Sequence, residues 1–184
     1  MNNSKIKEKV FLNGIKNNDR QAFINAYDLY VDQLYRFIYF KVGNKEEAED
    51  LLSAVFLKTW SYLQNNFTNH QTLKSLFYKI ARNLIIDHYR KTNQWNRVDF
   101  NNYDLMEYAD EKQNISKQIE IASDLVVIET KLPLLKDEYR EVIILRYINE
   151  LSIKEIADIL DKSKGNIRIL IYRAVNALKE LVKN

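Results

Sequence analysis

The sequence predicts an all-α protein: two small helical domains joined by a flexible acidic linker, the second built around a helix-turn-helix. Three observations carry this reading. Only three Gly and one Pro punctuate 184 residues, and a chain so poor in breakers favours helices. Apolar residues recur at three- and four-residue spacing in most segments. No segment alternates as a half-buried strand would, since "LVVI" at 125–128 is too short and too isolated.

The elements follow in order. The polar start "MNNSKIKEK" has no signal-peptide core, and no apolar run approaches the roughly 18 residues that span a bilayer. A soluble, cytoplasmic chain without membrane insertion is expected. Asp19 can cap a helix running through 27–42, with Phe23, Tyr27, Tyr30, Leu34 and Phe37 as its buried stripe. Gly43 closes that helix, and Asn44 with Glu47 forms a capping box for the next. There the stripe is Ala48, Leu52, Val55, Thr59 and Leu63, and in a third helix Leu73, Phe77, Ile80 and Leu84. From about 93 to 120 the chain is rich in Asn, Asp and Gln without a sustained period, as a linker would be. Domain limits of 1–92, 93–124 for the linker and 125–184 follow. Beyond Pro133 a helix is expected over 137–147. Ser152 with Glu155 is a second capping box, opening a helix over 153–160. Asp161-Lys162 is a turn and Ser163 caps the last helix, whose stripe is Ile167, Leu170, Ala174, Leu178 and Leu181.

Formal charge is only +3, but its distribution is uneven. Residues 74–91 hold five Lys or Arg against Asp87 alone, and 163–184 hold five against Glu180 alone. Between them, 92–130 holds three bases and eight acids. Two basic segments on helices flanking an acidic one suit a polyanionic partner, though either is also a plain solvated face.

Catalysis finds little support. The chain has no Cys, which excludes disulfides and thiolate metal sites, and its two histidines, His70 and His88, have no metal-binding spacing. Asp87 and His88 are neighbours and project about 100° apart on a helix, so they cannot act as an orienting pair. Gly14, Gly43 and Gly165 are isolated, so no phosphate loop exists. Neither an enzymatic activity nor a cofactor or metal is expected.

Nucleic-acid binding does better. On a wheel for the third helix, Ser75, Tyr78, Lys79, Arg82, Ile86, Tyr89 and Arg90 lie opposite the core stripe, with Asn83 at the edge. Tyrosines interleaved with cations suit stacking on exposed bases while neutralising phosphates. Asp87 falls toward the core side and reads as a paired, buried carboxylate. In the last helix Gly165, Arg168, Ile169, Tyr172, Asn176 and Lys179 face away from the core. The N-terminal residues of the second helix of a helix-turn-helix reach base edges in the major groove. Ser163, Lys164, Gly165, Asn166, Arg168, Ile169, Tyr172 and Arg173 are therefore the candidates there.

With these residues in place the chain resembles the bacterial RNA polymerase sigma factors, specifically the compact extracytoplasmic-function (ECF) group. "EEAEDLLSAVFLKTW" (46–60) resembles the second conserved region, which docks on polymerase. "FYKIARNLIIDHYRK" (77–91) resembles its continuation, which reads the minus-ten element. "LPLLKDEYREVIILRYINELSIKEIADILDKSKGNIRILIYRAVNALKEL" (132–181) resembles the fourth region, which reads the minus-thirty-five element. The resemblance implies a dissociable subunit that gives core RNA polymerase its promoter choice and leaves catalysis to the core enzyme. It implies that Asp50, Ser53, Leu57, Trp60 and Ser61, which point outward on the wheel, dock on the polymerase clamp. It implies that Asn65, Asn66, Phe67 and Asn69 hold a base flipped from the melted non-template strand, while Tyr78, Lys79, Arg82, Asn83 and Arg90 meet the minus-ten DNA. It implies an acidic linker threading the RNA path of polymerase, and leaves room for an anti-sigma factor. Three positions depart from the family pattern: Ala54 where a Glu is usual, Asp161 where the turn has Gly, and Ile169-Leu170 where Ser-Arg is usual. Two other classes fit the residues: a stand-alone helix-turn-helix repressor with a sensor or dimerisation bundle, and a helical adaptor that binds no DNA.

Overall fold

Most helix starts are set by a side chain that takes up amides the helix leaves unpaired. The computed structural model describes residues 10–12, 14–15, 17, 19–65, 72–91 and 130–183, with only the backbone of Asn65 and Lys183. Helix α1 (Arg20–Val42) begins where the Asp19 carboxylate accepts the N–H groups of Gln21, at 2.9 Å, and Ala22, at 3.3 Å. It stops at Gly43, whose φ of 73° is left-handed and whose N–H donates to the Tyr39 carbonyl at 2.8 Å. Glycine takes that conformation without a Cβ clash. Helix α2 (Lys45–Asn65) starts beyond Asn44, whose side-chain oxygen accepts the Glu47 N–H at 3.0 Å. The Glu47 carboxylate reaches the His88 ring of α3 at 3.1 Å, tying those helices together. Helix α3 (Leu73–Lys91) opens where the Thr72 hydroxyl accepts the Ser75 N–H at 3.1 Å.

Aromatic side chains hold α1, α2 and α3 together. Phe23 lies edge-on to Trp60 at 4.9 Å, Tyr27 lies 4.5 Å from Phe56, and Phe77 touches both Phe56 (5.0 Å) and Tyr30 (5.4 Å). Such edge-to-face contacts add to the stabilisation from burial itself. The α2 stripe is buried as the spacing predicts. On α3 the buried line is Leu73, Phe77, Ala81 and Ile85, and Ile80 and Leu84 are half-buried at its flank. On α1, Tyr27 is largely exposed.

The second unit begins with a 3₁₀ turn, Leu132–Leu134, around Pro133, followed by α4 (Asp137–Ile143). The expected helix over 137–147 is present, but its second half, Ile144–Ile148, winds as a π turn. Helix α5 (Ile153–Leu160) carries the full capping box. The Ser152 hydroxyl accepts the Glu155 N–H at 3.3 Å, and the Glu155 carboxylate accepts the Ser152 N–H at 2.8 Å. Helix α6 (Lys164–Lys183) completes the unit. Leu132, Ile144, Leu145, Leu151, Ile156, Ile167 and Ala174 form its core. Among the described residues there is no strand. The second unit lies against the first, with α5 on α3 and the π turn on α1. The linker expected at 93–124 lies outside the described residues.

Candidate nucleic-acid interface

Three surfaces carry the residues that the sequence singles out, and the fold treats them differently. The first is the start of α6. Asp161 ends α5 in the left-handed conformation (φ 52°, ψ 43°), the position the family fills with Gly. Asp reaches that region at more cost than Gly but more readily than most residues. The Lys162 N–H donates to the Ala157 carbonyl at 3.1 Å, and the Ser163 hydroxyl accepts the Asn166 N–H at 3.1 Å, so turn and cap are both satisfied. Ile167 and Ala174, both fully buried, fix the rotation of the helix. That rotation leaves Ser163, Lys164, Gly165, Asn166, Arg168, Ile169, Tyr172 and Arg173 all exposed on one side. At Gly165 a Cβ would meet nothing closer than the Ser163 hydroxyl at 3.8 Å. Nothing among the described residues requires glycine there. Leu170 is half-buried at the core edge, which accounts for an apolar residue at that departure from the family pattern.

The second surface is the basic face of α3, where the structure corrects the sequence reading. Tyr78, expected to face outward, is 0% exposed and sits edge-on to Phe37 at 5.2 Å. Tyr89 is also buried and donates its hydroxyl to the Lys41 carbonyl. Both tyrosines thus turn toward α1 of their own bundle, while the cations beside them meet the second unit. Lys79 pairs with Asp161 at 2.8 Å, Lys74 with Glu155 at 3.1 Å, and Arg82 with Glu141 at 3.0 Å. Asn83 and Arg90 stay exposed beyond the covered stretch. Asp87, expected to be buried, is exposed as well, 3.8 Å from Arg90.

The same junction is held at α1. Lys41, only 3% exposed, pairs with Asp137, which also takes the Arg140 guanidinium at 3.0 Å. Burial alone would raise the Asp137 carboxyl, but Lys41 and Arg140 outweigh it and hold its pKa below the ordinary value. The Glu155 carboxyl is likewise held low: burial is outweighed by its bonds from Ser152 and by Lys74. The Asn149 amide donates to the Gln33 carbonyl at 2.7 Å. Burial pushes the Tyr78 phenol well above its ordinary pKa, with Arg36 and Asn149 opposing weakly. Asn149 approaches the phenol, yet the Tyr78 hydroxyl has no partner in hydrogen-bonding geometry.

Lys41, Asp137, Glu141 and Asn149, which join the two units, were not singled out in the sequence. Their signal was a charge in a core register: Lys41 continues the line of Leu34 and Phe37, and Glu141 abuts the apolar run 142–145.

The third surface is on α2. Asp50, Ser53, Leu57 and Ser61 are exposed, and Leu57 at 72% is bare for a large apolar side chain. Trp60 departs from the expectation, since it is half-buried against Phe23. Ala54 lies half-buried between the exposed face and the core. Asn66, Phe67 and Asn69 and the side chain of Asn65 lie outside the described residues. No helix among the described residues is long and apolar enough to cross a membrane.

Comparison with known proteins gives these surfaces a common frame. Residues 26–95 match the family described as Sigma-70 region 2, and residues 125–178 match Sigma-70, region 4. Over 183 residues the chain is 30% identical to the ECF RNA polymerase sigma factor SigW of Bacillus subtilis (strain 168), covering 92% of this chain and 94% of SigW. The solved structure of CnrH in complex with the cytosolic domain of CnrY shares the fold, with a TM-score of 0.72 at 19% identity over 96% of this chain and 97% of that one. The sigma factor RpoE of Bartonella quintana, solved in complex with the anti-sigma factor NepR, gives 0.67 at 25% identity over 88% and 96%. With region 2 and region 4 in order on one chain, and a relative similar along nearly its whole length, this protein belongs to the ECF group of RNA polymerase sigma factors, which direct core polymerase to promoters for transcription initiation.

Proposed function

We propose that the three surfaces divide the work of promoter selection. Residues 1–92 act as the polymerase-docking and minus-ten domain, 93–124 as the connecting linker, and 125–184 as the minus-thirty-five domain. Leu57, flanked by Asp50, Ser53 and Ser61 and by the exposed edge of Trp60, meets core polymerase. An exposed apolar side chain on a polar face is stabilised when a partner covers it. Tyr78, Lys79, Arg82, Asn83 and Arg90, with the 65–69 segment, receive the melted minus-ten strand. The chain carries out no chemistry of its own and works in the cytoplasm. An anti-sigma factor is a further partner, as it is for the Bartonella quintana RpoE.

The observation that carries this reading is the start of α6. Seven small, basic or hydrogen-bonding residues and Ile169 are exposed there, beside a buried stripe that fixes the orientation of the helix. Arg168 lies one turn into the helix, where it can reach a base edge, and Ile169 lies beside it, suited to a thymine methyl. Helix N-terminal amides add a phosphate contact that positions without specifying.

The test is run-off transcription by core polymerase loaded with this chain, on promoters randomised across the minus-thirty-five element. Arg168→Ala should relax preference at one or two adjacent positions by about 1–3 kcal/mol. An unchanged preference profile would make Arg168 a phosphate contact, with a uniform loss and a shallower salt dependence. Failure to support transcription, with tight duplex binding by the chain alone, would favour a stand-alone regulator.

A further inference from the structure

Of the paired departure Ile169-Leu170, packing accounts for only one residue. Leu170 packs on the core edge, but Ile169 stands outside the packed cluster and is 52% exposed. Isoleucine and the serine usual in the family have similar helix propensity, so the helix gains nothing from the change. We propose, on the reading of α6 as the minus-thirty-five helix, that Ile169 is a specificity-determining residue for a methylated pyrimidine. It meets the 5-methyl group of thymine in the major groove and, on the same base edge, that of 5-methylcytosine.

The local geometry leaves this side chain accessible. A helical side chain leans over the turn that precedes it, so Ile169 lies over Gly165, four residues earlier. Gly165 has no Cβ to shield it, and one built there would meet nothing closer than the Ser163 hydroxyl at 3.8 Å. The flank of Ile169 is therefore open to a base edge approaching across Gly165. A β-branched side chain in a helix keeps essentially one χ1 rotamer, so little freedom is lost when that flank is covered. The neighbours decide what approaches. Lys164, Arg168 and Arg173 are exposed around it, and their charge favours the DNA backbone over an apolar protein surface. Chemistry then decides the base. Ile169 has no donor or acceptor, so against guanine, adenine or unmodified cytosine it would strip water from a polar edge and return no hydrogen bond. The pyrimidine methyl is the apolar feature that the major groove offers. A serine at this position can bond to several base edges, whereas isoleucine narrows the choice to the methyl. Tyr172, 69% exposed three residues on, extends the apolar strip.

The test removes the methyl from the DNA. Core polymerase loaded with this chain is assayed on the preferred element from the randomised promoters, with each thymine of either strand replaced in turn by uracil. Uracil at one or two adjacent positions should lower promoter affinity roughly 4-fold, as expected for one buried methyl, and uracil elsewhere should not. Ile169→Ala should be indifferent to uracil at that position, whereas Arg168→Ala should keep the penalty. Cytosine placed there should be bound more tightly by the wild type when 5-methylated, and Ile169→Ala should not tell the two apart. A wild-type holoenzyme insensitive to uracil throughout the element overturns the inference. So does a penalty that survives in Ile169→Ala, or a preferred element made of G·C pairs alone. Should Ile169→Ala fail to fold, the uracil and 5-methylcytosine measurements on the wild type decide. If no base of the element affects affinity, the assignment of α6 as the reader fails. If bases matter and methyl groups do not, that assignment stands and the role of Ile169 alone is wrong.

Discussion

The tyrosines on the two basic helices have opposite surroundings. Tyr78 of α3 is fully buried against Phe37 of α1, and Tyr172 of α6 is 69% exposed. Both stand among cations on their helices, but Tyr78 packs on Phe37 of its own bundle. The two helices also differ in tertiary partner: α3 meets Glu141, Glu155 and Asp161, and the start of α6 meets solvent. The difference teaches that the two promoter readers are not equally available. On the proposed assignments, the minus-thirty-five face is exposed, whereas cations of the minus-ten face are paired with carboxylates of the second unit.

The largest effect expected from this contrast comes from the same substitution on both faces. Tyr78→Ala empties a fully buried site and should cost about 3–5 kcal/mol of stability, as large aromatic truncations in cores do. Tyr172→Ala should stay within about 0.5 kcal/mol. Denaturant melts of both variants check this, and equal losses would break the comparison.

Docking comes next in size. Leu57→Ala should weaken core polymerase binding by about 1–2 kcal/mol with an unchanged melt, because Leu57 is 72% exposed. Trp60→Ala should lower both binding and stability, since its ring packs on Phe23. Titration of core polymerase beside thermal melts separates the two residues.

A smaller effect sharpens the account of Tyr78. Its hydroxyl is buried without a good partner, so Tyr78→Phe should be neutral or stabilising by up to about 1 kcal/mol. A clear loss of stability would mean that Asn149 holds the hydroxyl.

The smallest effect is in acid. The Asp137 and Glu155 carboxyls are held below their ordinary pKa values at the junction of the two units. A group of this kind stabilises that junction fully above its unfolded pKa, near 4 for a carboxylate, and that contribution is lost as pH falls through the depressed value. The junction should therefore weaken from about pH 4 downward. Asp137→Asn should flatten part of that dependence in a pH series of the interdomain distance, while α6 should show no such response.

Much of the fold was legible in the sequence, for local reasons. Asp19, Gly43, Ser152 and Glu155 mark helix ends because caps act within four residues, and the bounds of α1 and the start of α5 follow from them. The buried stripe of α6 and the exposed start of that helix were legible for the same reason. The junction was not. Its ion pairs join residues 59 to 96 positions apart, and a helical wheel shows which side faces away from one core without showing what covers it. Tyr78 was read as outward and open to solvent, and it is buried against Phe37 of α1. Asp87 was read as inward and proved exposed, a rotational error of the same kind as the placing of Ile80 and Leu84 in the stripe.

The most direct measurement compares the solvent reactivity of Tyr78 and Tyr172 by radical labelling, first in the free chain and then on core polymerase without DNA. The account predicts that Tyr78 is protected in the free chain while Tyr172 reacts, and that Tyr78 becomes reactive once polymerase binds. Tyr78 reacting as readily as Tyr172 in the free chain, or staying protected on polymerase, would contradict it.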